Sequence, residues 1–415
     1  MNSRERFLET MEFNPNIRPP KWEFAYWGGT LNRWYAEGLP RKHYVRLANE
    51  ITTPTSSVYL TAWKSLEHKI LNGEIPNGMI AMGGGLYWPT QGFPQEFDVE
   101  EHLGLDKGTR SVDVNLMFYP MFEPSVVTED NRYYTYIDID GCKRTLLKEE
   151  ATIPQTVDWI IKDVKSWQKL KDERLSLENL EKRFPDNWEE LIKEYKERDY
   201  PLTIGGYPHG MFGLPAHLMG YETLFYAYYE EPDLIQDMLD TFTDLWIAMY
   251  EIILSRVEVD MLHIFEDISA NKGPMISPKT IDEFFAPRYK RLVDFVKSKG
   301  VKHVLLDTDG DCYSIISNFV KCGITGIYPM EVSTGMDIDR ARKDFPELQM
   351  MGGIPKMEIA KGKVRIDELL CSTKQLLKHR GYIPYLDHAV PPNVSWEDFK
   401  YYRLRLNEIL DECGR

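Results

Sequence analysis

From Leu202 to the last helix the chain repeats one pattern: a short apolar run, a loop of small or acidic residues, then an amphipathic stretch, closed in three units by Gly300, Gly323 and Gly381. The apolar runs start near residues 202, 260, 303, 324, 348 and 382. Each is strand-length and apolar nearly throughout, the composition of strands covered on both faces. Strands that alternate with helices lie parallel and are joined by right-handed crossovers. Six such units without a G-x-G-x-x-G fingerprint point to a closed (β/α)₈ TIM barrel rather than an open doubly wound sheet. In a barrel the residues just past each strand's C-terminal end form the rim where chemistry is done.

The segment Val301 to Glu331, VKHVLLDTDGDCYSIISNFVKCGITGIYPME, concentrates this logic. Its first strand stops at Asp307, with Asp309, Gly310 and Asp311 following. A helix carrying Ile315, Ile316, Phe319 and Val320 closes at Gly323, and the strand Ile324 to Tyr328 delivers Glu331. Carboxylates crowded on a dry rim persist only with a cation among them, a neutralising partner, or a retained proton. Asp309 and Asp311 leave a second reading open, as caps of the helix that follows. Other strand ends add Glu266-Asp267 after DMLHIFE and Asp387-His388 after Tyr382 to Leu386.

Upstream, Ser3 to Met11 reads as a helix stopped by prolines, and Trp22 to Trp27 as an aromatic strand broken at Gly28-Gly29. Residues 1–45 are therefore expected to form an N-terminal arm and the first strand. Gly83-Gly84-Gly85 lacks the lysine and spacing of a phosphate loop and reads as a plain loop. Strand-like residues near 120–150, with Asp140-Gly141 as a hairpin turn, and helical spacing over 155–200 indicate an insertion of β-hairpin plus helices at 120–200. All 415 residues then make one barrel domain. Trp27, Tyr207, His209 and the backbone at Gly352-Gly353 follow strands at the rim end, which makes them candidates for binding substrate. For His209 and most of the aromatics a purely structural place is the competing reading.

A net charge of -15 excludes nucleic acid or an anionic membrane surface as the main partner. The odd number of cysteines without C-x-x-C spacing, the charged helical opening MNSRERFLETMEF and the lack of an 18-residue apolar run fit a cytoplasmic protein.

RERFLETMEFNPNIRPPKWEFAYW, GMFGLPAHLMGYETLFYAYYEEPDLIQDML, DMLHIFEDISANKGPMISPKTIDEFFAPRYKRL, GITGIYPMEV and MMGGIP together resemble the uroporphyrinogen decarboxylase superfamily, in its corrinoid methyltransferase-like branch. The resemblance implies the same barrel. It also implies one of two chemistries: decarboxylation of porphyrinogen acetate arms, or methyl transfer involving cobalamin or a thiol. Porphyrinogen decarboxylases carry an RQAGR segment where this chain has Ala25 to Arg33, with a single arginine, so an eightfold anion is not the expected substrate.

In the methyltransferases a His-x-Cys-Gly motif, a glutamate and a late cysteine bind zinc. Their places here hold Asp307-Thr308-Asp309-Gly310, Glu331 and His388. The resemblance thus implies Asp307, Glu331 and His388 as ligands of a divalent metal, zinc first, hard enough to polarise an oxygen. Asp309, Glu266 and Asp267 are then the catalytic acids. The implied reaction moves a methyl group from a small, methoxylated aromatic or similar substrate to cobalamin on a partner corrinoid protein. The alternative is a metal-free decarboxylase or other lyase of a small acid, its carboxylate held by Arg33 or Arg288.

Overall fold

The computed structural model describes residues 1–40, 42, 86–87, 94–123, 125–147 and 154–413. Seven parallel strands form its central sheet: β1 (Arg110–Ser111), β2 (Leu202–Gly205), β3 (Met261–Phe265), β4 (His303–Asp307), β5 (Gly326–Met330), β6 (Gln349–Ile354) and β7 (Tyr382–Leu386). They are ordered β7-β6-β5-β4-β3-β2-β1, so every strand lies beside its neighbour in sequence. Five of the six strands expected from residue 202 onward start within a residue of their expected positions, and β5 starts two residues late. Long helices between them, including Pro232–Leu254, Ala286–Ser298 and Lys363–Leu376, cover the outer face.

The sheet curls on itself. Met261, Leu305, Tyr328, Met351, Ile383 and Tyr385 leave β3 to β7 on the inner face and pack in one cluster with Phe7, Trp22, Phe24 and Ala25. Phe24 lies within 6.4 Å of the Tyr328 ring and 6.2 Å of the Tyr385 ring, which only a curved sheet permits. The N-terminal helix Ser3–Met11 contributes Phe7 and Met11 to the same cluster.

An eighth ladder is not formed among the described residues, a departure from the expected closed barrel. Residues 24–27 run along the β7 edge with one parallel bridge, Tyr26 to Val390, and bonds from Trp27 N to Val390 O and Val390 N to Ala25 O. Glu23 strengthens this edge. Its buried carboxylate accepts from Leu386 N at 2.7 Å and lies 3.3 Å from the buried Arg403 guanidinium. Such weak pairing is not legible in the residue pattern, because strand propensity does not report whether a neighbour's edge is in register.

The insertion is more strand-rich than its composition suggested. Ser125–Glu129, Tyr133–Ile137, Lys143–Leu147 and Gln155–Asp158 form a four-stranded antiparallel sheet, with the last strand where helix was expected. The turn falls at Asp140-Gly141 as read, Gly141 N bonding Asp138 O at 2.9 Å with Gly141 at φ +82°. The Gly83 to Gly85 triplet lies outside the described residues, as do Arg41 and residues 43–45 of the arm.

Candidate active site

Inward alternation in β3 and β4 sets His263 beside Asp307, their Nε2 and Oδ2 atoms 3.0 Å apart. Asp307 is 3% exposed. Burial pushes its carboxyl above the ordinary value, against the pull of the His263 hydrogen bond. Past the strand, Gly310 at φ +78° turns the backbone under Ser269, where a β-carbon would come 2.6 Å from the Ser269 carbonyl oxygen. That turn presents Asp309 to His388, which follows β7, with Oδ2 and Nε2 3.1 Å apart.

Burial alone would raise Asp309, but the charge and hydrogen bond of His388 and the charge of Lys356 hold it below the usual carboxylate range. For His388, burial is outweighed by Asp309, and the imidazole is raised. Its ring sits on Phe24, 5.3 Å between centroids, so the inner aromatic cluster forms the floor of the dyad.

Asp267 takes the opposite course. Its backbone is left-handed at φ 46°, a strained conformation for a side-chain-bearing residue, and Tyr221 donates to its Oδ2 at 3.4 Å. Burial, then the charges of Asp309 and Asp307, push its carboxyl up to about 7. Neighbouring acids with pKa values pushed apart can hold a proton and a charge at the same pH.

Glu331 faces Lys356, Oε1 to Nζ 3.0 Å, and its Oε2 accepts from Gly310 N at 2.9 Å, bracing the Asp309 turn. Asp387, fully buried, accepts from Ser333 N at 3.0 Å, Ser333 Oγ and Lys356 N at 2.8 Å, and so ties together the loops carrying Glu331, Lys356 and His388. Lys356 and His263 escaped the sequence reading, and of Asp387 only its place after β7 was read, not its bracing role. His263 carried a usable signal: a polar residue at the inward position of a buried strand.

Several expected site residues have other places. Glu266 is fully buried, and its carboxylate accepts from Met211 N, Phe212 N and Gly213 N at 2.9, 2.7 and 3.0 Å, capping the helix Gly213–Met219. His209 turns its edge to Trp246 of the outer helix layer, 5.6 Å between centroids, with its Nδ1 on Gly206 O. Burial lowers it to about 3, leaving it neutral. Gly353 serves packing, since a β-carbon there would lie 2.2 Å from Ile338 Cδ1, and Gly352 lies against Met330 N.

Trp27 is half-buried beside the inner cluster. Tyr207 sits at the rim end of β2 with its ring edge-on to Phe265. Asp311 accepts from Tyr313 N, the cap reading. Arg33 pairs with Glu37, and Arg288 is held doubly by Asp240.

The metal expected at Asp307, Glu331 and His388 does not fit this arrangement. Each is engaged by a different partner, His263, Lys356 and Asp309 respectively. Among the described residues no three His, Cys, Asp or Glu side chains converge on a point that could hold an ion. A pairing of lysine with glutamate and of imidazole with carboxylate supplies internally the neutralisation that a cation would otherwise give.

A curled parallel sheet with acids, imidazoles and a lysine gathered past its strand ends is the layout of α/β barrel-type enzymes. Residues 145–404 match the family model described as Uroporphyrinogen decarboxylase (URO-D), and the chain belongs to that family. Among curated proteins it is 25% identical over 211 residues to the uroporphyrinogen decarboxylase of Prochlorococcus marinus strain MIT 9312, covering 49% of this chain and 58% of that protein. To the enzyme of strain MIT 9515 it is 23% identical over 234 residues, 54% of this chain and 65% of that one. The chain thus spans less than two thirds of the length of these curated relatives. Among solved structures, a methyltransferase from Methanosarcina mazei aligns with TM-score 0.47 and 17% identity over 66% of this chain and 75% of that one. No helix among the described residues is long and apolar enough to cross a membrane.

Proposed function

We propose that the protein is a methyltransferase that demethylates a small, uncharged compound such as a methoxylated aromatic, within a (β/α)₈ barrel whose remaining stave is residues 22–27. The observation that carries this reading is the pairing of Asp309 with His388 on one rim beside Asp267, whose carboxyl burial and the neighbouring acids push up to about 7, near enough to neutral pH to hold and release a proton. When the methyl carbon is taken by the acceptor the O–CH₃ bond breaks, and the oxygen left on the substrate is an anion that needs a proton. Asp267 gives that proton to the leaving oxygen, while the charge that His388 and Lys356 sustain on Asp309 keeps it on Asp267 until then. Phe24, Tyr328 and Tyr385 form an apolar floor suited to an aromatic ring. Lys356 is paired with Glu331 and acts on Asp309, so its charge is already answered by carboxylates, and Asp267 and Asp307 add further acids to the rim, an environment hostile to a polyanion. A corrinoid carried by a separate protein would supply the methyl acceptor.

A second reading, decarboxylation of a small acid, is favoured by Lys356, which could exchange Glu331 for a substrate carboxylate. The relatives' names point the same way. Purified protein incubated with cobalt(I) cobalamin and a panel of methoxylated aromatics should form methylcobalamin, read by its absorbance, and Asp267→Asn should lower the rate by roughly 10²–10⁴-fold. Carbon dioxide release from small acids without any methyl transfer would establish the second reading instead. Stoichiometric zinc whose removal abolishes turnover would overturn the protonic mechanism.

A further inference from the structure

Lys356 opens the loop after β6 and is held at both ends. Its backbone N–H donates to Asp387 Oδ1 at 2.8 Å, and its Nζ lies 3.0 Å from Glu331 Oε1. The other Glu331 oxygen accepts from Gly310 N at 2.9 Å, so one carboxylate ties the ammonium to the turn that sets Asp309 against His388. A lysine that only fastened two surface loops would leave the pair in water, where it is worth little. Here the lysine and glutamate side chains are 18% and 12% exposed, and the positive charge is felt beyond its partner: it helps to hold Asp309 down and opposes the rise of His388.

The donor types point the same way. At the places where the resemblance implies an imidazole, two thiolates and a glutamate, the chain has Asp307, Asp309, His388 and Glu331. Thiolate sulfur is a soft metal ligand and a weak hydrogen-bond acceptor, whereas carboxylate oxygens take charge-assisted hydrogen bonds from an ammonium. Oxygen in place of sulfur therefore suits a lysine better than a zinc ion. The two cations also exclude each other. Lys356 occupies an oxygen of Glu331 that an ion would need, and its like charge repels a divalent ion from the remaining donors.

We infer that Lys356 is the resident cation of this rim, standing in for the divalent metal that the resemblance implies, and that removing its charge opens Glu331, Asp309 and His388 to a divalent ion. This goes beyond the reaction proposed above and does not depend on it, because the charge balance of the rim is set by the chain's own residues before any substrate arrives.

Calorimetric titration of the chelator-treated, full-length protein with zinc chloride tests it without turnover. Lys356→Met, or Lys356→Gln should the first variant fold poorly, should bind one zinc ion per chain roughly 10²- to 10⁴-fold more tightly than wild type. That is the repulsion between an ammonium and a divalent ion about 6 Å apart at an effective dielectric constant of about 20 to 40. Lys356→Arg keeps the charge and should bind zinc no better than wild type. Adding Glu331→Gln to Lys356→Met should remove the gain, which separates this site from zinc held by surface histidines or cysteines. A stoichiometric site in wild type as tight as that of Lys356→Met, no gain in either neutral variant, or a gain that survives Glu331→Gln overturns the inference. None of these outcomes decides between methyl transfer and decarboxylation, which is read from the products.

Discussion

Replacing Glu23 by leucine removes the counterion of a guanidinium that has no access to water. Arg403 is fully buried, and besides Glu23 its partners are neutral, among them Trp22 O and Asn407 Oδ1, each at 2.8 Å. Breaking a buried ion pair from one side costs about 3–5 kcal/mol. The Leu386 N–H, now bonded to Glu23 at 2.7 Å, would also be stranded, adding about 1–3 kcal/mol. The sum, about 4–8 kcal/mol, is a large part of the 5–15 kcal/mol typical of folded proteins (~ values for a domain). It falls on the weakly paired edge that positions Phe24 under His388. Removing both charges, Glu23→Leu with Arg403→Met, should restore all but roughly the 1–3 kcal/mol of the stranded amide. Urea denaturation followed by fluorescence measures both variants, with midpoints compared at unchanged slope. A single variant that loses less than about 2 kcal/mol, or a double variant no more stable than the single, would refute the reasoning.

The Asp309–His388 pair predicts a stability window. His388 is raised, so its contribution is full below the ordinary histidine value of about 6.5 and is lost as pH rises through the higher folded value. Asp309 is depressed, so its contribution is full above about 3.9 and is lost as pH falls through the lower folded value. NMR titration should place His388 above its ordinary range, and Asp309→Asn should move it down because Asp309 is what outweighs burial; an unmoved titration would show the pair does not exist. Gly353→Ala, at φ +88° with its β-carbon against Ile338, should cost about 2–5 kcal/mol in urea melts, whereas unchanged stability with lost ligand binding would return Gly353 to the ligand's side. Lys356→Met should slow methyl transfer about tenfold or less, since it only supports the charge on Asp309; complete loss together with loss of carbon dioxide release would favour the carboxylate-binding role.

The alternation of apolar runs with amphipathic stretches was enough to place β2 to β7, because a strand covered on both faces must be apolar throughout and a crossover helix must show one apolar stripe. The rim acids Asp267, Asp307, Asp309 and Glu331 and the imidazole of His388 could be read from the same pattern, since the end of a parallel strand is where such side chains emerge. Partnership could not be read. Whether Asp309 meets His388 or shares a metal with Asp307 depends on the αL turn at Gly310 and on the height at which β4 and β7 end. That Glu266 caps a helix, that Lys356 answers Glu331, and that Asp140 reaches Tyr207 through His217 are contacts across 53 to 55 positions, 25 positions, and 77 then 10 positions of sequence. A residue's type and local period fix which side of its own element it occupies, but its pKa and its partner are set by elements brought beside it only when the sheet curls, and the chemistry of this rim was decided there.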